Sequence, residues 1–220
     1  MNIYTIYAQI FKIWRQKRMD LFESIIQPDE EDLVLDVGGY PATWTSRPQL
    51  TKRIDCLNLH TLSWDPSAEP DYRITTSIGD GCELSYEDAS YDIVFSNSVI
   101  EHVGDWKRQQ AFAREVRRVG KRLWIQTPAY ECPLEPHYFA PFVHWLPVRV
   151  RRRVLRWLTP WGWMQRPTQE KVDETIATTR LLTKREVEQI FPDCVVMTER
   201  LFGIFPKSYI AYRASVPLSS

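Results

Sequence analysis

Several polar residues sit where short apolar runs end or begin. Asp36 lies in "LVLDVGGYPATW", Asn58 follows "RIDCL", Asp80 stands in "IGDGCEL", and Asn97 closes "YDIVFSN". Each can hold a hydroxyl- and amine-bearing ligand. The Asp36 carboxylate is followed by Gly38 and Gly39, which permit a sharp turn and close backbone approach. Pro41 then suits the first turn of a short helix, with Pro48 ending it, and the free N–H groups there face a carboxylate or hydroxyl. Asn58 can bond a hydroxyl. Asp80 can accept from an exocyclic amine while the Gly81 and Cys82 N–H groups address ring nitrogens. A second group carries proton chemistry: Glu101 and His102 in "IEHV", and His137 beside Glu135 in "LEPHYF". A histidine here can deprotonate or orient an acceptor near neutral pH, or serve as a hydrogen-bonded framework residue. Glu101 can brace its loop.

These residues need a scaffold that brings strand ends together. Apolar runs at 33–37, 53–59, 72–77, 91–97 and 121–127 read as five strands. Asp105 caps a helix through about Val119, with Trp106, Ala113 and Val116 on one side. Continuous apolar strands alternating with helices predict a mostly parallel sheet covered on both faces. Thr183 and Glu186 have capping-box spacing at the head of "TKREVEQIF". Two strands follow, "CVVMTERLF" and "KSYIAYRA", and the "GIFP" between them is too short for a crossover, which makes them antiparallel. Open sheets of this kind bind ligands at the carboxyl ends of their strands.

Two segments stand outside this rhythm. Residues 1–27 carry Ile3, Ile6, Tyr7, Ile10, Phe11 and Trp14 on one helical face, then Arg15, Lys17 and Arg18. They predict a helical cap over the domain or its mouth, or an interfacial membrane helix. Residues 130–180 are rich in Pro, Trp and Arg, and hold one helix-like piece, Val148–Leu158. They read as an inserted lid on a single domain of 220 residues.

Composition narrows the function. Basic and acidic residues balance at 28 each, so no global field draws the protein to nucleic acid. The four cysteines are scattered without a CxxC pair, which points to a reducing, cytoplasmic setting. No apolar run reaches the roughly 18 residues of a membrane span. No histidine spacing is diagnostic of a metal, and none is expected.

Together "VLDVGGYPATW", "LNL", "GDGCELSYEDASYDIVFSNSVIEHV" and "VGKRLWIQTPA" resemble a class I S-adenosylmethionine-dependent methyltransferase of the type 11 kind. The resemblance implies an α/β, Rossmann-like fold: a mostly parallel seven-stranded sheet with a late antiparallel strand. It places the methionine end and ribose side of S-adenosyl-L-methionine on Asp36, Gly38 and Gly39, the ribose on Asn58, the adenine on Asp80, Gly81 and Cys82, and the sulfonium above Asn97. His102 and His137 are the candidate catalytic residues. The chain departs from the family in two places: Tyr40 and Ala42 stand where the loop carries glycines, and Asn58 replaces an acidic residue.

The reading is methyl transfer to an oxygen or nitrogen of a small-molecule or lipid- or glycan-linked acceptor, bound under the lid. Its Arg and aromatic content suits an acceptor with apolar and anionic parts, and its arginine-rich helix suits peripheral contact with an anionic membrane. With neutral charge, and "SNSV" where a base methylase carries [DN]PP[YF], nucleic acid is not expected as acceptor. The rivals are a nicotinamide oxidoreductase, which would want the G-x-G-x-x-G that the chain lacks, and a non-catalytic member of the fold.

Overall fold

A computed structural model describes residues 3–214 except 46, 48, 52, 59–70, 136 and 139, with side chains from Trp14 onward. Strands β1 (Leu33–Val37), β2 (Arg53–Asn58), β3 (Ile74–Ile78), β4 (Tyr91–Asn97) and β5 (Gly120–Pro128) pair in parallel; β8 (Val195–Leu201) and β9 (Phe205–Arg213) close the sheet. Its order is β3-β2-β1-β4-β5-β9-β8, with β9 antiparallel to both neighbours. The predicted seven strands and their late antiparallel member are therefore present. The chain reverses direction of travel across the sheet between β1 and β4, which opens a crevice at their carboxyl ends.

Helix α1 (Ile3–Ile26) covers one face of the sheet. Phe22 packs edge-on against Trp44, Phe95 and Trp124, and Met19 and Ile26 complete that layer. The helix continues well past the apolar stripe seen at its start, because Phe22 and Ile26 prolong the same four-residue spacing. The short α2 (Ala42–Thr45) follows Pro41 as expected; Pro48 lies outside the described residues. On the other face, α3 (Trp106–Val119) is capped by Asp105, whose side chain accepts from the Arg108 N–H. Phe112, Val116 and Val119 bury against β1, β4 and β5. Helix α7 (Lys184–Ile190) begins with the complete Thr183–Glu186 capping box.

The lid holds more order than the expected single helix. A two-stranded ribbon, β6 (Leu134–Glu135) and β7 (Ala140–Pro141), precedes α4 (Val148–Leu158), α5 (Pro160–Gln165) and α6 (Gln169–Thr178). Tyr138, Val143, Leu155 and Val172 form its own small core. Thr159 and Thr168 cap α5 and α6.

Candidate active site

Strand β1 ends at a buried carboxylate. Asp36 is 1% exposed, and Oδ2 accepts from the Trp44 indole N–H at 2.7 Å. Burial raises its pKa to about 7, against the lowering effect of the indole bond. Gly38 has φ +79°, the left-handed region, and any Cβ there would strike Val99. A Cβ on Gly39 would fall 1.8 Å from the Asp36 carboxylate. Both glycines are thus required by this turn, while Tyr40, 55% exposed, is free to stand where the family loop has glycine.

Asn58 lies across this turn, with its amide 3.3 Å from the Gly39 carbonyl, to which it donates. An aspartate could not donate to that carbonyl, which gives the departure from the family's acidic residue a structural reason. Asp80 turns on its own chain: Oδ1 accepts from the Cys82 N–H at 2.9 Å. Both Asp80 oxygens also accept from Arg108, at 2.9 and 2.8 Å. These bonds, the Arg108 pair above all, lower its pKa. Asp80 and Cys82 therefore share one turn as the sequence suggested, with an unforeseen arginine on the carboxylate.

Asn97 is held from the opposite face of the sheet. Arg18 of α1 donates to Asn97 Oδ1 at 2.6 Å and to Gln126 Oε1 at 3.2 Å, and grips both oxygens of Glu199. Sequence reasoning missed this arginine. The available signal was a charged residue inside the stripe formed by Trp14, Phe22 and Ile26.

After Asn97 the backbone turns through Ser98 at φ +58°, a strained conformation for a non-glycine residue. The Ser98 hydroxyl donates to Gln126 Oε1 at 2.9 Å, fixing the turn. The following 3₁₀ turn, Ile100–His102, carries Glu101 inward and His102 outward. Glu101 is fully buried; Oε2 accepts from the Thr127 hydroxyl at 3.0 Å, and Oε1 has no partner. Burial raises its pKa to about 7, opposed by the His137 charge.

The β6–β7 ribbon delivers His137 to this turn. His137 Nε2 lies 3.1 Å from His102 Nε2, and His137 Nδ1 lies 2.6 Å from Glu135 Oε1. Burial alone would lower the His137 pKa, but the Glu135 bond and the nearby carboxylates raise it. The two candidate catalytic histidines, 35 positions apart in sequence, are thus neighbours. His144 points elsewhere, to the Tyr130 carbonyl at 2.9 Å.

Behind the histidines lies a cavity of about 360 Å³. Its walls include Glu135, Tyr138 and Arg151 from the ribbon and α4, Thr179 and Arg180 from the segment after α6, and Glu186 from the first turn of α7. It backs onto the histidine pair through Glu135 and Thr179, whose hydroxyl is 3.5 Å from His102 Nδ1. Arg180 stacks over Trp106 at 5.0 Å and pairs with Glu186, whereas Arg151 Nε is buried without a partner.

Residues 53–123 match the family Methyltransf_11, described as a methyltransferase domain. No curated protein matches the sequence. Among solved structures, the fold resembles Haemonchus contortus phosphoethanolamine N-methyltransferase 2 in complex with S-adenosyl-L-methionine. That match has a TM-score of 0.56 and 16% identity, and covers 83% of this chain and 38% of that one. An Anabaena variabilis S-adenosylmethionine-dependent methyltransferase gives a TM-score of 0.54 at 13% identity, over 91% of this chain and 84% of that one. The chain also spans 63% of a Galdieria sulphuraria protein of the same fold, at 18% identity and a TM-score of 0.53. At these identities the structures speak for the fold, and the family match for the domain type. Residues 53–123 thus carry a methyltransferase-domain match, on a fold that S-adenosylmethionine-dependent methyltransferases share.

Proposed function

We propose that the enzyme methylates an oxygen or nitrogen of a small or lipid-linked acceptor with an anionic group, bound in the cavity under the lid. The observation that carries this reading is the cavity itself. Its wall includes Glu135 and Thr179, which contact His137 and His102, and Arg151, whose Nε is buried without a partner. A carboxylate or phosphate would satisfy that guanidinium. Methyl transfer from a sulfonium needs donor and nucleophile in line, with water excluded. In this arrangement Asp36, Gly38, Gly39, Asn58, Asp80, Gly81, Cys82 and Asn97 hold the cofactor at the crevice. His102 and His137 stand between the crevice and the acceptor cavity, and His102 orients the acceptor. The lid excludes water.

The outer surface of the lid supports a membrane-borne source for the acceptor. Trp157, Leu158 and Trp163 are more than half exposed, beside the exposed Arg149 and Arg153. Exposed apolar and basic groups on the adjoining helices α4 and α5 suit an anionic lipid interface. Among the described residues, no helix is long and apolar enough to cross a membrane.

The test has two stages. Calorimetry should show binding of S-adenosylmethionine and none of NADH; binding of neither would favour a non-catalytic member of the fold. Release of S-adenosylhomocysteine is then measured with hydroxyl and amine acceptors, with and without a carboxylate or phosphate. Arg151→Gln should raise KM for anionic acceptors alone and leave cofactor affinity unchanged. Equal turnover of neutral and anionic acceptors, unaltered by Arg151→Gln, would overturn the assignment.

A further inference from the structure

The histidine pair and Glu101 leave a hydrogen-bonding problem that one proton cannot solve. His137 Nδ1 is engaged by the Glu135 carboxylate at 2.6 Å, so in the neutral ring Nδ1 carries the hydrogen and Nε2 presents a lone pair. That lone pair faces His102 Nε2 at 3.1 Å. A proton on His102 Nε2 would join the two rings, but Glu101 Oε1, 3.9 Å from the same nitrogen, would still lack a protein hydrogen bond in a fully buried side chain. An unpaired buried carboxylate oxygen is costly. A cation among the three atoms serves all of them at once.

The geometry fits. Glu101, His102 and His137 each offer one ligand atom, and these atoms lie within 4.8 Å of one another. Donors at about 2.1 Å from one ion lie roughly 3.0–3.4 Å apart in octahedral or tetrahedral arrangement, which the two nitrogens already match. Glu135 holds the far nitrogen of His137 in the way an outer carboxylate orients a metal-ligating imidazole. Its second oxygen accepts from the Tyr138 N–H at 2.8 Å, so the orienting group is itself fixed.

We propose that Glu101 Oε1, His102 Nε2 and His137 Nε2 bind a divalent transition-metal ion of the zinc, cobalt or manganese type, with Glu135 orienting His137. Two imidazoles and one carboxylate favour such ions over magnesium or calcium. This departs from the sequence expectation of no metal. Nothing in the spacing of residues 101, 102 and 137 signals a site, because the β6–β7 ribbon assembles it. Three protein donors leave positions for water or an acceptor oxygen, and a bound ion acidifies a hydroxyl that it holds. That last consequence rests on the methyl-transfer reading; the ion site does not.

The test uses the full, untagged chain, stripped with a chelator and dialysed, without cofactor or acceptor. Cobalt(II) is titrated and its visible d–d absorption followed, with zinc and magnesium as competitors. Saturation at one equivalent is expected, with zinc displacing cobalt and excess magnesium failing to. His102→Gln and His137→Gln should each weaken binding about 100-fold or more, and Glu135→Gln about 10- to 100-fold. Thermal melting of each variant identifies those that stay folded. If one histidine variant unfolds, the other and Glu135→Gln carry the comparison. Absence of saturable cobalt binding would overturn the proposal, as would unchanged binding in the folded variants or a thiolate charge-transfer band marking cysteine ligands. Cofactor calorimetry on the stripped protein separates this failure from failure of the methyltransferase reading.

Discussion

Arg18→Ala should be among the most damaging single substitutions in the protein. The Arg18 and Glu199 side chains are 9% and 19% exposed, and their closest approach is 2.6 Å. The same guanidinium also serves Asn97 and Gln126. Deleting one partner of a buried pair costs about 3–5 kcal/mol, because the other charge is left without compensation. Here Lys207 Nζ remains 3.8 Å from Glu199, and Ser208 still donates to it, which places the loss near 3 kcal/mol. For a chain of this size that lowers the melting temperature by about 6–12 °C. Arg18→Lys should lie between parent and alanine, since an ammonium keeps the charge but cannot fork across three acceptors. Arg18→Met with Glu199→Met should recover part of the loss, because neither member of the pair is left alone, while Lys207, 3.8 Å from Glu199, loses its carboxylate. Urea denaturation measures all four proteins, and calorimetry with S-adenosylmethionine should show weaker binding where Asn97 loses its anchor. A loss below about 1 kcal/mol for Arg18→Ala, or a double variant no more stable than the single, would refute the reasoning.

Three further outcomes are expected. Asp80→Ala should reduce S-adenosylmethionine affinity about tenfold or more, the equivalent of a charge-assisted hydrogen bond, at unchanged fold; equal affinity in calorimetry would remove Asp80 from the adenine site. The folded pKa of Asp36, about 7, lies above its ordinary value of 3.8. The native state therefore holds a proton that the unfolded chain has lost, and this group's stabilisation declines as pH rises from about 4 to 7. Asp36→Asn should abolish that decline, gaining on the parent by an amount of order 4 kcal/mol between pH 4 and pH 8; parallel pH–stability curves from denaturant unfolding would contradict the assignment. Replacing Arg149, Arg153 and Arg156 with Gln should weaken sedimentation with anionic vesicles at low salt, with the difference shrinking at high salt, while cofactor affinity holds; parent-like vesicle binding would make these arginines a solvated face only.

What the sequence disclosed follows the range of the interactions involved. The strands, the Asp105 cap and the Thr183–Glu186 box were readable because each depends on neighbours within a few residues. The lid helices α5 and α6 were not. "PWGWMQ" contains Pro and Gly, and α6 buries only Val172, so neither shows helical periodicity. The candidate cofactor residues could be ordered along the strand ends, but their partners could not. Arg108 on Asp80, Trp44 on Asp36 and Arg18 on Asn97 arise from packing across elements. His102 and His137 were each visible as candidates, while their 3.1 Å approach depends on a two-residue ribbon too short to carry a pattern.

The Arg18 tie also bears on how the protein folds. It joins residue 18 to residue 199, 181 positions apart, and through the same side chain sets the amide of Asn97. Contacts of such separation form late, after the local strand–helix units, because closing so long a loop costs entropy before any bond repays it. During synthesis the first helix leaves the ribosome long before β8 and β9, and waits with a cation on its apolar stripe. The crevice therefore acquires its final Asn97 geometry only when both ends of the chain have met. A protein truncated before β8 would lack Glu199, and with it the ion pair that steadies Arg18 on Asn97.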